Sequence, residues 1–362
     1  MADRTTTPTE KVSKQRNLRK ALRSRLRIHS GPSPTVLPRP EGFGFHSAGQ
    51  SLISIDCDVN DGRLTKLRAK DLKTTLSGDL ETPKKGFLSP FRYPGGKTWF
   101  RKTSRKWLKN RRVPPRILVE PFAGGAAISL AAVHENLVPR AAFAELDPEV
   151  ANTWESMLNG EAEWLIDQIT SFQISRSRVK KVLSAMPPTK RDRAFRCILQ
   201  NRTARGGVIA EGAGIIRKGE NGKGVSSRWY PETLAKRIRV IHSLKAKLSF
   251  MHGDGFKLIH KYLNDNGAVF FVDPPYTQAA RRLYRHWEID HEELFKLLSR
   301  TSGDVLMTYD DTSEIRDLAT EHGFQFKRIS MRTTHHEAKS ELMISKNFDW
   351  QKPPRPETRR ND

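Results

Sequence analysis

Cysteine is scarce in this chain: Cys57 and Cys197 are the only two in 362 residues. They lie in segments of different character and without metal-ligand spacing, so both are read as free thiols in a reducing compartment, with no metal and no disulfide framework. Long apolar runs are missing as well. No stretch approaches the roughly 20 apolar residues that a bilayer-spanning helix needs, and no short apolar segment follows the first basic residues, so neither a membrane span nor a secretory signal is expected. The Arg-rich start imitates an organellar transit peptide, but Asp3 and Glu10 weaken that reading. Acid is in short supply: 40 Asp and Glu face 64 Lys and Arg, a formal net charge of +24. Such a surplus favours a polyanionic partner through counterion release, nucleic acid first.

Residues 1–85 are rich in Ser, Thr, Pro, Gly and charge, with little apolar periodicity, and are read as a basic, largely disordered N-terminal extension. Within it Lys11, Lys14, Arg16, Arg19, Lys20, Arg23, Arg25 and Arg27 form a run without any acid. That run is either a helix former on DNA or a solvated tail. From Phe87 to about Phe348 strand and helix signals alternate. Candidate strands are Ile117–Glu120, Ala141–Glu145, Leu248–Met251, Ala268–Val272, Val305–Tyr309, Phe324–Ser330 and Glu341–Ser345. Candidate helices are Ala126–Glu135, Pro148–Leu158, Phe256–Leu263, His291–Ser299 and Ser313–His322. The alternation predicts an α/β fold, a mostly parallel sheet covered on both faces, which binds ligands at the carboxyl ends of its strands. Residues 161–241 break the pattern with helical or irregular, basic, glycine-punctuated sequence and are expected to form an inserted subdomain between 87–160 and 242–348; residues 350–362 read as a tail.

The chemistry-bearing segments stand where strands end. Asp273-Pro274-Pro275-Tyr276 follows the apolar run Ala268–Val272. A carboxylate and a carbonyl beside two rigid prolines can hold an exocyclic amino group in one geometry, and the tyrosine offers a flat base a stacking surface, which suggests methyl transfer to a base nitrogen. Asp-Pro-Pro also occurs in ordinary turns, where Asp caps and Pro stiffens. Leu118 to Ala127 places the small-residue turn Glu120-Pro121-Phe122-Ala123-Gly124-Gly125 between strand and helix, where backbone N–H groups approach a ligand closely. Glu145, about 20 residues on, stands where an acid accepts the ribose hydroxyls of a nucleoside cofactor, or else is solvated in a turn. Asp254 either accepts from a cofactor adenine or caps the next helix, and both roles are compatible. Gly95-Gly96-Lys97-Thr98 invites an ATPase reading, but Phe91 stands where the first glycine of a phosphate-binding loop is required. Lys97 on its glycine turn is expected to meet a carboxylate or the cofactor instead.

Together these segments resemble the Dam-like DNA adenine-N6 methyltransferases, the D12 class family. Phe91-Arg92-Tyr93-Pro94-Gly95-Gly96-Lys97 is similar to the family's N-terminal cofactor motif, Glu120 to Gly125 to its glycine motif, Glu145-Leu146-Asp147 to its acidic ribose motif and Asp273 to Tyr276 to its catalytic motif, in the family's order. Leu199-Gln200-Asn201-Arg202-Thr203 resembles the family's Asn-Arg-Thr signature, but Ala204-Arg205-Gly206-Gly207 replaces the aromatic and Asn residues usual after it. Ser227-Arg228-Trp229-Tyr230-Pro231 is either a further contact surface or a packed corner with an exposed arginine.

The resemblance, spanning roughly residues 87 to 348, implies a Rossmann-like S-adenosylmethionine-dependent methyltransferase fold with a seven-stranded sheet, and transfer of methyl to N6 of an adenine flipped out of double-stranded DNA. It implies Asp273, Pro274, Pro275 and Tyr276 as catalytic residues. Tyr93, Pro94, Gly95, Gly96, Lys97, Glu120, Pro121, Phe122, Ala123, Gly124, Gly125, Glu145 and Asp254 are the implied cofactor site. Asn201, Arg202, Arg205 and Arg228 are the implied DNA contacts within a target-recognition insert. A cytoplasmic, DNA-associated enzyme of a bacterial or phage-type setting follows, either beside a cognate restriction endonuclease or as an orphan without one. The rival readings are an N4-cytosine methyltransferase, since Asp-Pro-Pro-Tyr suits any exocyclic amine, and a non-catalytic DNA-binding protein on the same fold.

Overall fold

The computed structural model describes residues 87–92, 96–111, 113–209, 213–275, 288–332 and 338–352. Its elements, in chain order, begin with α1 (Arg101–Lys109), β1 (Ile117–Glu120), α2 (Ala127–His134), β2 (Arg140–Glu145) and α3 (Pro148–Leu158). Four helices follow: α4 (Ala162–Ser171), α5 (Arg176–Ser184), α6 (Lys190–Thr203) and α7 (Pro231–Ser243). The chain then returns to alternation with β3 (Leu248–His252), α8 (Gly255–Tyr262), β4 (Ala268–Val272), α9 (His291–Ser299), β5 (Asp304–Asp310), α10 (Ser313–Glu321), β6 (Gln325–Arg332) and β7 (Ala338–Ser345).

The strands form one seven-stranded sheet in the order β3-β2-β1-β4-β5-β7-β6. The first five pair in parallel, and β7 runs antiparallel between β5 and β6. Every residue of β1 and β4 is buried, as expected of central parallel strands covered on both faces. Period-two alternation sorts their side chains into two cores. Leu118, Phe143, Val269, Phe271 and Leu306 face one layer, whereas Val119, Ala142, Phe270, Val272 and Met307 face the other. The second layer is closed by α8, α9 and α10 through Leu258, Phe295 and Ile315.

The first layer holds α1 to α3 and the helices of the basic interval. Leu165 and Ile169 of α4, Val179 of α5, Ile198 and Leu199 of α6 and Ile238 and Ile241 of α7 join the cluster that contains Trp154 of α3 and Phe143 of β2. Leu165 and Ile169 of α4 and Ile238 and Ile241 of α7 stand at i, i+4 and i, i+3, so each of these two helices turns one apolar stripe inward. Residues 161–241, expected as an inserted subdomain, therefore share a core with the sheet instead of burying one of their own.

Helix α1 has no counterpart among the expected elements. Its sequence is dominated by Lys and Arg, and Phe100, Arg101, Ser104, Trp107 and Leu108 mark the buried face. Arg101 and Arg105 both pair with Glu135 at the end of α2, joining the two helices.

Candidate active site

The order of the strands reverses between β1 and β4: the chain builds outward to β2 and β3 on one side and to β5 on the other. Such a switch point leaves a crevice outside the carboxyl ends of the strands. Here it is a cavity of about 870 Å³, and Glu120, Glu145, Asp254 and Asp273, which end or follow β1 to β4, all line it.

On the β1 side, Gly124 (φ 48°) and Ala126 (φ 46°) adopt left-handed backbone that turns the chain sharply into α2. Trp154 pins this turn by donating from Nε1 to the Gly124 carbonyl at 2.8 Å. The turn after β3 abuts it so closely that a Cβ on Gly255 would lie 2.4 Å from the Pro121 carbonyl oxygen. Glu120 is buried and accepts from the Ser129 N–H at 2.8 Å, at the first turn of α2. Burial pushes its carboxyl up to about 7, against the pull of the Ser129 hydrogen bond and with the Asp273 charge adding to the rise.

Glu145 at the end of β2 accepts from the Asp147 N–H at 2.8 Å, which fixes its side chain toward the cavity. Desolvation raises this carboxyl to about 7 as well, with the neighbouring Asp147 charge contributing. Asp254 caps α8 by accepting from Phe256 N at 3.0 Å and also lines the cavity, so the cap is certain and a ligand role is compatible with it.

On the β4 side, Asp273 is gripped through Oδ1. Thr308, fully buried on β5, donates its hydroxyl at 2.8 Å, and Lys97 Nζ lies 3.0 Å away. Lys97 is itself buried and stands 3.6 Å from Oε2 of Glu341, a buried residue of β7. The loop carrying Lys97 is seated by Phe100, whose N–H bonds to the Lys97 carbonyl and whose ring packs 5.8 Å from Phe271 on β4. Lys97 thus meets a carboxylate, as one of its two expected roles required, and that carboxylate is Asp273. Pro275 lines the cavity beside it, and Pro274 is buried. Tyr276, Tyr93, Pro94 and Gly95 lie outside the described residues; Gly96, Pro121, Phe122, Ala123, Gly124 and Gly125 all line the cavity.

The expected DNA contacts divide. Asn201 is only 1% exposed, and its amide is committed internally: Nδ2 donates to the Arg92 carbonyl at 2.9 Å and the Gly207 carbonyl at 2.7 Å, while Oδ1 accepts from Arg92 N at 2.8 Å. It ties the Pro90–Arg92 segment to the end of α6 and turns away from any duplex, a correction that follows from its burial. The approach is tight enough that a Cβ on Gly207 (φ 78°) would lie 2.3 Å from the Arg92 carbonyl oxygen. Arg202 is also buried and donates to the Pro90 carbonyl. Arg205 is exposed, and Arg228 is half-buried at the cavity wall. Trp229 is buried against Phe172, so the aromatic offered to solvent in that segment is Tyr230, which is 49% exposed.

Thr308, Glu341 and Arg237 were not expected as site residues. For Thr308 a signal exists: a threonine amid the apolar run of Val305–Tyr309, one step past the Val272–Met307 pair of the β4–β5 register.

Residues 93–335, about two thirds of the chain, match the family described as D12 class N6 adenine-specific DNA methyltransferase. The chain belongs to that family. The protein is therefore a methyltransferase of DNA adenine. No curated protein matches the sequence. Among solved structures it is similar to the rRNA methyltransferase aviRa from Streptomyces viridochromogenes, at 12% identity over 75% of this chain and 92% of that one, with a TM-score of 0.35. It is similar also to the precorrin-6y C5,15-methyltransferase from Geobacter metallireducens GS-15, at 11% identity over 68% of this chain and 86% of that one, with a TM-score of 0.30. No helix among the described residues of this D12 methyltransferase is long and apolar enough to cross a membrane.

Proposed function

We propose that this enzyme methylates N6 of an adenine extruded from double-stranded DNA, with Asp273 and the Pro274 carbonyl holding the amine and the β1–β3 side of the cavity holding S-adenosylmethionine. The observation that carries the reading is the grip on Asp273: a carboxylate at the switch point, held through Oδ1 by Thr308 and Lys97.

The residues of the β1–β3 side suit the cofactor. The left-handed turn at Gly124 and Ala126 brings backbone close to the ligand, Glu145 is aimed to accept ribose hydroxyls, and Asp254 stands near to accept an adenine amine. When bound, the cofactor supplies an electrophilic methyl group on a sulfonium.

The adenine amine is a weak nucleophile because its lone pair is delocalised into the ring. Asp273 accepting from one N–H and the Pro274 carbonyl oxygen from the other would localise that pair and direct it at the methyl carbon. Transfer would form the N6–C bond as the S–C bond breaks and place positive charge on nitrogen, where the fixed carboxylate of Asp273 would stabilise it until the surplus N6 proton is released to solvent. Fixed alignment of two reactants removes up to about 7 to 11 kcal/mol from a barrier, so the rigidity of Asp273 is itself catalytic equipment. Extrusion of the base costs a few kcal/mol; Tyr276 is assigned the compensating stacking on the resemblance of its motif. The solvent face of α5 and the turn after α6 present Arg176, Arg178, Lys180, Lys181, Arg217 and Lys218 as exposed cations able to hold a duplex during extrusion.

The test is mass spectrometry of nucleosides from DNA treated with wild-type enzyme and Asp273→Ala, followed by sequencing that reports modified bases in context. N6-methyladenine from the wild type and none from the variant is expected. N4-methylcytosine would move the reading to the rival amine, and undiminished turnover by the variant would sink the role of Asp273.

A further inference from the structure

One wall of the cavity carries more positive charge than cofactor binding and amine positioning use. Arg92, Arg202, Arg228, Arg237 and Tyr230 all line it. Arg202 is the hub: it is buried, and the charges that act on it are those of Arg237, Arg92 and Arg228, together with Tyr230. Burial and these like charges push its guanidinium down to about 9. Burial likewise lowers Arg92 and Arg237 from the usual arginine range, Arg92 with help from Arg228.

Folded proteins rarely bury guanidiniums together without acids between them, because each lost hydration shell must be offset by a paired charge or by hydrogen bonds. For Arg202 and Arg237 the hydrogen-bond partners among the described residues are neutral carbonyls. Arg202 donates to Pro90 and Arg237 donates to Ser89 at 2.9 Å. Two buried nitrogens, Nη1 of Arg92 and Nε of Arg202, find no hydrogen-bond partner among the described residues. The side chains that carry these nitrogens line the cavity, and guanidiniums short of acceptors there form a preorganised oxyanion site; the guanidinium fork matches phosphate in particular. Tyr230 adds a flat surface at the same wall: its hydroxyl donates to the Ser227 carbonyl at 2.8 Å, which holds the ring while half of it stays exposed.

We propose that Arg92, Arg202 and Arg237 form a phosphodiester-binding subsite that receives a backbone phosphate next to the extruded adenine, with Tyr230 supporting the neighbouring sugar or base. An extruded nucleotide whose base reaches Asp273 brings a phosphate to the same cavity, and that phosphate supplies the acceptors that the arginine donors of this wall lack. Phosphate contacts position a nucleic acid without reading sequence, so the subsite acts on placement of the target nucleotide, not on choice of site. The proposal rests on the adenine reading above.

Wild-type methylation of a duplex containing the enzyme's own sequence is the control: if it fails, the adenine reading fails and the subsite is not at issue. The decisive comparison uses that duplex with a neutral methylphosphonate in place of the phosphodiester on either side of the target adenine. Arg92→Gln is the principal variant, because the Arg92 side chain makes no internal hydrogen bond among the described residues; Arg237→Gln, which can still donate to Ser89, is the second. Calorimetry with S-adenosylmethionine should give the wild-type affinity for both, which also shows that they fold. The KM for duplex should rise about tenfold and the salt slope of DNA binding fall by about one. One methylphosphonate linkage should impair the wild type about as much and leave Arg92→Gln nearly unaffected. Equal penalties from the methylphosphonate in wild type and variant would overturn the proposal. So would lost cofactor affinity with unchanged DNA binding, which would assign the wall to the cofactor's carboxylate.

Discussion

Thr308 donates its hydroxyl to Oδ1 of Asp273 at 2.8 Å, from the centre of a strand where every neighbour is apolar or buried. A hydrogen bond to a charged acceptor contributes about 1.5 to 3 kcal/mol, and here it also sets the direction of the carboxylate. Thr308→Val keeps the shape and removes the donor. We expect kcat to fall roughly 10- to 100-fold with cofactor affinity unchanged, and Thr308→Ser to recover most of the loss. Steady-state kinetics with calorimetry of cofactor binding checks this; equal activity of the Val variant would show that Lys97 alone orients Asp273.

Lys97 stands between two acids, 3.0 Å from Asp273 and 3.6 Å from Glu341. Removing one member of a buried ion pair leaves uncompensated charge and typically costs about 3 to 5 kcal/mol. Lys97→Met should therefore destabilise the fold by a few kcal/mol, and adding Glu341→Gln should return part of it, since one of the stranded charges is then gone. Urea unfolding of the single and double variants gives both numbers. Additive losses would show that Glu341 and Lys97 do not act as a unit.

The sheet was legible in the sequence because its strands are short apolar runs bounded by turn residues: the strands Ile117–Glu120 and Ala268–Val272, and the helices Pro148–Leu158 and His291–Ser299 between strands, stand in the structure with the bounds expected of them. The β1–β3 lining of the cavity was legible because a strand's end, a glycine turn and an acid at set spacing are local features. The grip on Asp273 was not. Thr308 and Glu341 reach it through strand order, and a register between distant segments leaves no trace in local periodicity. Asn201 misled for the opposite reason: a polar residue in a motif associated with DNA reads as a contact until its burial is seen. Helix α1 escaped because its basic surface outweighs a narrow apolar stripe of Phe100, Trp107 and Leu108.

Asn201 joins three backbone groups of two segments. Asn201→Ala leaves the Arg92 and Gly207 carbonyls and the Arg92 N–H without those partners, at about 1 to 3 kcal/mol for each buried group left unsatisfied. Stability should drop by a few kcal/mol. The salt slope of DNA binding, measured below the unfolding transition, should stay as in the wild type, because no phosphate contact is lost. A changed slope with unchanged stability would return Asn201 to the DNA interface.

Glu145 ties pH to cofactor binding. Its carboxyl is raised to about 7 in the folded protein from an ordinary value of 4.5, so the folded state holds a proton there that the unfolded chain has released between those values. The sign for stability is then a loss as pH rises from about 4.5 through 7, since the charge forms in a desolvated place. The sign for binding is opposite: ribose hydroxyls need an ionised acceptor, so affinity for S-adenosylmethionine should strengthen as pH rises through about 7. Glu145→Gln cannot ionise; it should bind weakly, and this inflection should be absent from its profile, while any step owed to the cofactor's own amine persists in both proteins. Calorimetry of wild type and variant from acid to mildly alkaline pH separates the two. If the profiles run parallel, with no inflection peculiar to the wild type, Glu145 is not the group that accepts the ribose.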